Sequence, residues 1–122
     1  MVMQFNGATT STAITGGMGM TIPNSSQTAW HYTATTNGAA QDFYTVPANK
    51  TLYVTALEMV GVSCGINVYE NDGATKVWVD TTSATVPNAS TPPGFIAVYT
   101  TGQIVKINGT NGGSLNAYGV LV

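Results

Sequence analysis

Phe43-Tyr44-Thr45-Val46, the turn Pro47-Ala48-Asn49-Lys50, and Thr51-Leu52-Tyr53-Val54-Thr55-Ala56-Leu57-Glu58-Met59-Val60 open the stretch Asp42 to Asp80, which decides the fold class. The stretch continues from Val62 to Glu70, turns at Asn71-Asp72-Gly73-Ala74 and returns as Thr75-Lys76-Val77-Trp78-Val79-Asp80. β-branched and aromatic residues alternate with polar ones between turn clusters, the pattern of strands joined by hairpins. With Asn71 to Ala74 as the loop, Glu70 faces Thr75, Val68 faces Val77 and Ile66 faces Val79, which aligns the apolar pairs on one face. Asn67, Tyr69, Lys76 and Trp78 then occupy the other face. From Met59 through Gly61 to Ser63, a two-residue and a three-residue loop pair different faces, and both remain open.

Working outward, Gln27 to Ala34 reads as the first full strand, with His31 on the face opposite Trp30 and Tyr32. Thr35-Thr36-Asn37-Gly38 follows as a turn, and Asn-Gly is the strongest short hairpin signal. On the other side, Thr81 to Pro93 is a turn-rich crossing in which Pro87, Pro92 and Pro93 forbid a central strand. Gly94 to Thr100, Gln103 to Asn108 and Ser114 to Val122 complete the set. About eight strands with one long crossing predict an all-β, two-sheet antiparallel β-sandwich of jelly-roll or Greek-key type over residues 27–122. Residues 1–26 read as an extended N-terminal arm along which Phe5, Ile14, Met18, Met20 and Ile22 are spaced. Two readings of the arm stand side by side: a floppy terminus, or a segment that becomes ordered on a neighbouring subunit.

The 122 residues suit one domain. A chain of this mass folds to a surface of roughly 6,000 Å² from about 18,000 Å², enough burial for one core without disulfides or a structural metal. Cys64 has no partner for an internal bridge and sits in the apolar alternation Val62, Cys64, Ile66, Val68, the setting of a small buried hydrophobe. Charged residues make up 7% of the chain against 43% hydrophobic, so solubility rests on Thr, Ser, Asn and Gly. With three Lys, no Arg and a net charge of −2, the chain lacks the cations to neutralise a run of phosphates, which argues against nucleic acid and an anionic membrane as partners. The sequence opens without a signal-peptide pattern and has no apolar run approaching ~20 residues, so synthesis in a cytosol is expected. The sequons at Asn24, Asn49, Asn88 and Asn108 follow from an Asn- and Thr-rich composition.

The sequence carries no G-x-S-x-G, H-E-x-x-H, P-loop or paired cysteines, and a hydrolytic triad would have to use the single histidine, His31. No enzyme activity, cofactor or metal is expected. Glu70-Asn71-Asp72-Gly73 lacks the further oxygen ligands of a calcium loop and reads as turn chemistry. Glu58 interrupts an apolar alternation and is expected to meet Lys106 or Lys50 across the sandwich, or to reach solvent at a strand end. Tyr53, Tyr69 and Trp78 are expected to share the sheet face away from the core, as an oligomer contact rather than a saccharide site.

Phe43-Tyr44-Thr45-Val46-Pro47-Ala48-Asn49-Lys50-Thr51-Leu52-Tyr53-Val54-Thr55 resembles a strand–turn–strand unit of small virion β-sandwiches of tailed bacteriophages. Residues Pro93 to Val105 and the closing Gly119-Val120-Leu121-Val122 are similar to the same group. The resemblance implies a capsid decoration (cement) protein: a homotrimer made in the host cytoplasm that binds the major capsid protein on the virion surface. It further implies trimerisation through the apolar outer face, with the arm and loop tips clamping shell subunits. The alternative is a receptor- or glycan-binding head domain of a phage tail or head fibre, touching a host glycan through Asn108 to Gly113. A fibre head is expected to follow a shaft, and a start at Met1 speaks against one. A free carbohydrate-binding module is the third reading, and the secretion signal or enzyme that usually accompanies one is not visible.

Overall fold

The computed structural model describes residues 14–15, 21–23 and 27–122. β1 (Ile14–Thr15) and β2 (Thr21–Ile22) pair as a small antiparallel ladder. The sandwich follows as β3 (Thr28–Thr35), β4 (Ala40–Thr45), β5 (Leu52–Val60), β6 (Gly65–Tyr69), β7 (Lys76–Thr81), β8 (Asn88–Ser90), β9 (Ala97–Tyr99), β10 (Ile104–Gly109) and β11 (Ser114–Leu121). One sheet has the order β4-β10-β6-β7; the other runs β3-β11-β5, with β8 and β9 both pairing to β5. All ladders are antiparallel. Six of the eight connections from β3 to β11 pass from one sheet to the other, so the two sheets pack as an antiparallel β-sandwich.

The expected fold class holds, but the expected hairpins do not. β4 pairs with β10 and β5 with β11, so the stretch 42–80 is not a meander, and the Asn37-Gly38 turn carries the chain between sheets. Gly38 adopts φ +81° and Asn37 Oδ1 accepts from the Ala39 amide, so the local turn chemistry is present. A turn signal fixes a change of direction; the strand that pairs next is chosen by burial. Of consecutive sandwich strands, β6 and β7 alone form a hairpin ladder.

That hairpin also departs from the expected register. Glu70 N–H donates to the Thr75 carbonyl as expected, and Tyr69 pairs with Lys76. The register then shifts, so that Val68 pairs with Trp78, Asn67 with Val79 and Ile66 with Asp80. Val77 is the extra residue of a β-bulge. Trp78 therefore turns into the core and Val79 out to solvent, the reverse of the expectation.

The core lies between the sheets. β5 contributes Leu52, Val54, Leu57 and Met59, β6 Ile66 and Val68, β10 Val105 and Ile107, and β11 Leu115 and Ala117. The switch on β5 from even to odd core positions coincides with a second register shift, opposite Tyr118 and Gly119. A Cβ on Gly119 would collide with the Tyr53 carbonyl, so the close backbone approach at this bulge requires glycine. Ile22 is fully buried against Ile96, Tyr53, Val120 and Val122, so part of the arm packs on the protein itself.

Candidate interaction surfaces

The structure scatters the residues expected to form one contact surface. Phe5, Met18 and Met20 lie outside the described residues, and Ile14 belongs to β1. Tyr53, half-buried, packs against Ile22 on the outer side of the β3-β11-β5 sheet. Tyr69 belongs to the other sheet, where Lys106 and Lys76 are its register partners. Trp78 is buried in the core. The three aromatics therefore share no face. The bulge at Val77 and the crossing between β5 and β6 separate them, and neither feature has a local sequence signature.

What the fold does bring together is different. On the outer face of the β3-β11-β5 sheet, His31 stacks on Tyr118, with ring centroids 4.6 Å apart and planes within 3°. Glu58 points outward rather than across the sandwich, and accepts from Asn116 Nδ2 at 3.4 Å. The ion pair of Lys106 is instead with Asp42, at 3.7 Å. Tyr118, Val60 and Val98 are exposed on this side. Glu58 is the one Asp, Glu, Lys or Arg on the five strands of this sheet, whereas the opposite sheet carries Asp42, Lys76, Asp80 and Lys106.

Along the open side of the sandwich, β3 and β4 close the core with aromatic rings. Trp30 meets Tyr44 edge-on at 5.0 Å, and Tyr32 meets Phe43 at 5.2 Å and Tyr44 at 5.1 Å in the same way. Such edge-to-face pairs add about 0.5–1.5 kcal/mol beyond area burial. Trp30 is buried, and its Nε1 finds no acceptor among the described residues. Tyr32 stays 41% exposed. The alternation Trp30-x-Tyr32 signalled a shared face in the sequence; its contact with Phe43 and Tyr44 depends on topology.

Two clefts carry polar groups. One of about 310 Å³ is lined by Glu70, Asn71, Asp72, Val98, Tyr99 and Gln103. Its side chains are largely committed to structure: Asn71 Oδ1 accepts from Ile104 N–H, Gln103 Oε1 from Thr100 N–H, and Tyr99 donates to the Tyr69 carbonyl at 2.8 Å. Burial, reinforced by the Glu70 charge, holds the Tyr99 phenol well above its ordinary pKa, so it remains a donor. The second cleft, about 240 Å³, lies between Gly38, Gly65, Asn67, Asn108, Gly109 and Thr110. No group of three His, Cys, Asp or Glu among the described residues is placed to hold a metal ion. No helix among them is long and apolar enough to cross a membrane.

No family model matches the sequence, and no curated protein does. Among solved structures, the chain is similar to the nucleoplasmin-like N-terminal domain of Drosophila FKBP39, with 11% identity and a TM-score of 0.50 over 82% of this chain and 93% of that one. It is also similar to a chain of the acidic stable capsid structure of Helicobacter pylori bacteriophage KHP30. There the identity is 15% and the TM-score 0.49, over 79% of this chain and 90% of that one. The likeness to the nucleoplasmin-like domain is one of fold alone.

Proposed function

We propose that this chain is a phage capsid decoration (cement) protein, a homotrimer that binds the major capsid protein on the outer surface of the virion and stabilises the shell. It has no catalytic role in this reading. The observation that supports it is the contrast between the two outer faces. The β3-β11-β5 face has a single charged residue, exposes Tyr118, Val60 and Val98, and already accepts Ile22 from outside the sandwich. A face depleted of charge and bearing aromatic residues is suited to burial between subunits. Val62 and Val86, 64% and 62% exposed, project from the β5–β6 and β7–β8 loops at one end and offer the shell contact. Three copies of a weak contact on one particle act together, so modest individual affinities suffice.

Co-sedimentation with undecorated phage shells tests this, with the mass of the protein in solution measured alongside. Saturable binding by a trimer is expected, weakened about tenfold or more by Val62→Asp with Val86→Asp while the mass stays unchanged. A protein that ignores shells overturns the reading. If such a protein binds host cells or glycans, the fibre-head alternative takes its place. The second cleft favours that alternative: Asn67 and Asn108 are register partners whose amides make no side-chain hydrogen bond to other described residues. Unengaged amides of this kind suit sugar hydroxyls.

A further inference from the structure

On the β4-β10-β6-β7 sheet, Ile66, Val68 and Ile107 turn into the core, so their strand neighbours Asn67 and Asn108 turn outward. The two asparagines are register partners and line the cleft of about 240 Å³ together with Gly38, Gly65, Gly109 and Thr110. Thr110 Oγ1 accepts from Gly65 N–H at 2.8 Å, which leaves its hydroxyl proton to donate elsewhere. Two carboxamides and a hydroxyl therefore line one cleft, each able both to donate and to accept. No lining residue is charged, and Lys106, in the next register pair, is held by Asp42 at 3.7 Å. The room in the cleft comes from Gly65. Gly38 is needed for its turn at φ +81°, and a Cβ on Gly109 would collide with Thr36. Gly65 has neither reason: its φ lies outside the left-handed region, and a Cβ would meet Thr110 Oγ1 at 3.7 Å and Thr81 Cγ2 at 3.8 Å, ordinary contacts. Glycine weakens a strand and often marks a place where a ligand comes close to the backbone.

We infer that this cleft binds a neutral saccharide, with one sugar ring seated over Gly65 and its hydroxyls paired to Asn67, Asn108 and Thr110. The inference goes beyond shell binding and does not depend on it, because the cleft lies on the sheet opposite the proposed subunit contact. Neighbouring hydroxyls of a sugar need donors and acceptors side by side, and a carboxamide supplies both from one plane. Cross-strand partners stand about 4.5–5.5 Å apart at Cβ, within the span of one ring. An anion would find no cation among the lining residues, and an apolar ligand would leave both amides unpaired, which is costly. The volume is below the ~300–1,000 Å³ of pockets for drug-sized ligands, which limits the occupant to a single small ring. Tyr69, two residues along on the same face, offers aromatic surface to a second sugar unit. The described part of the N-terminal segment lies elsewhere, with Ile22 seated on the other sheet against Tyr53 and Val120.

NMR titration of the full isotope-labelled chain with glucose, galactose, mannose and N-acetylglucosamine tests this. At least one sugar is expected to shift the side-chain amides of Asn67 and Asn108 and the backbone amides of Gly65 and Thr110. The shifts should saturate with a Kd of about 1–10 mM, the range that a ligand of about a dozen atoms reaches. Gly65→Val fills the cleft and should weaken binding about tenfold or more, while Tm and the rest of the spectrum stay native. Asn67→Ala with Asn108→Ala, which leaves Gly65 in place, should lose binding as well and serves if the valine variant does not fold. No saturable shift from any of the four sugars overturns the inference, including the case of a cleft filled by another part of the chain. Binding that survives Gly65→Val in a folded protein, or equal shifts from acetamide, which has no hydroxyl, also overturns it. Failure to bind shells leaves the sugar site standing, whereas shell binding without sugar shifts removes this inference alone.

Discussion

The two ends of the sandwich are closed by different chemistry. At the end formed by the β3–β4, β5–β6, β7–β8 and β10–β11 loops, two buried threonines join segments distant in sequence. Thr36 Oγ1 donates to the Thr110 carbonyl, and backbone bonds tie Thr36 to Gly112 and Gly113. Thr82 Oγ1 accepts from Cys64 N–H at 2.8 Å and donates to the Gly61 carbonyl, while Thr82 N–H bonds the Cys64 carbonyl at 2.7 Å. At the opposite end, the β6–β7 turn is held mainly by its own residues, with one long-range bond from Ile104 N–H to Asn71 Oδ1. Asp72 accepts from Ala74 N–H, Thr75 N–H and the Thr75 hydroxyl, all in solvent. The first end rests on buried long-range bonds through two threonines; the β6–β7 turn rests chiefly on short-range bonds to an exposed carboxylate, with long-range bonds such as Ile104 to Asn71 beside it.

β6 and β7 run between these ends, and the ends disagree by one residue. From the turn, Glu70 opposite Thr75 would place Val68 against Val77; from the threonine end, Thr82 on Cys64 and Thr81 on Gly65 place Val68 against Trp78. The bulge at Val77 reconciles them, and burial decides which side chain turns inward. This gives the largest expected effect. Trp78→Ala should destabilise by about 3–5 kcal/mol, the usual loss for a large aromatic in a core. Val79→Ala should stay within about 0.5 kcal/mol, as exposed positions do. Denaturant unfolding measures both, and the opposite ordering would restore the turn-derived register.

The same contrast separates what the sequence could show from what it could not. Alternation and turn residues were enough for the strand-rich, two-sheet class and the burial of Cys64, whereas the crossing before Gly94 holds a short edge strand, β8, that the prolines around it concealed. The class and the burial depend on period-2 patterning or on Pro and Gly. The pairing partners were not legible, because Asn37-Gly38 and Pro47 to Lys50 turn the chain equally well within a sheet or between sheets. For the candidate surfaces the loss was larger. Placing Tyr53, Tyr69 and Trp78 on one face required a register, and the register depended on Thr82, a residue that looked like one more polar position in a loop. The docking of Ile22 over Tyr53 is likewise a contact between segments that no local pattern connects.

Removal of the threonine hydroxyls should have the next largest effect. Thr82→Val keeps the shape but strips the Cys64 amide of its acceptor and the Gly61 carbonyl of its donor. A buried group left unpaired costs about 1–3 kcal/mol, and Thr36→Val falls in the same range. Hydrogen exchange sharpens the comparison: in Thr82→Val the Cys64 amide should exchange faster while the Glu70 amide, bonded within the distant turn, keeps its wild-type protection. Equal acceleration at both sites would mean that the ends are coupled and that the division drawn between them is wrong.

The smallest effect belongs to Asp72. The Thr75 hydroxyl, then the Ala74 and Thr75 amides, hold its carboxyl below the ordinary carboxylate pKa. A group depressed on folding adds stability above its unfolded value, about 3.9, and loses that contribution as pH falls through the lower folded value. Asp72→Asn keeps an acceptor but removes the charge. The wild type should therefore exceed the variant by a constant small margin in Tm from neutral pH to about 5, and the margin should shrink below about pH 4. The site is fully exposed, so solvent screening keeps the margin below the effect of either threonine substitution. Melting curves of both proteins between neutral and acidic pH would show it. A margin that persists undiminished to the lowest pH would mean that the turn depends on the geometry of Asp72 rather than on its charge, and that even the solvent-exposed end is held by shape.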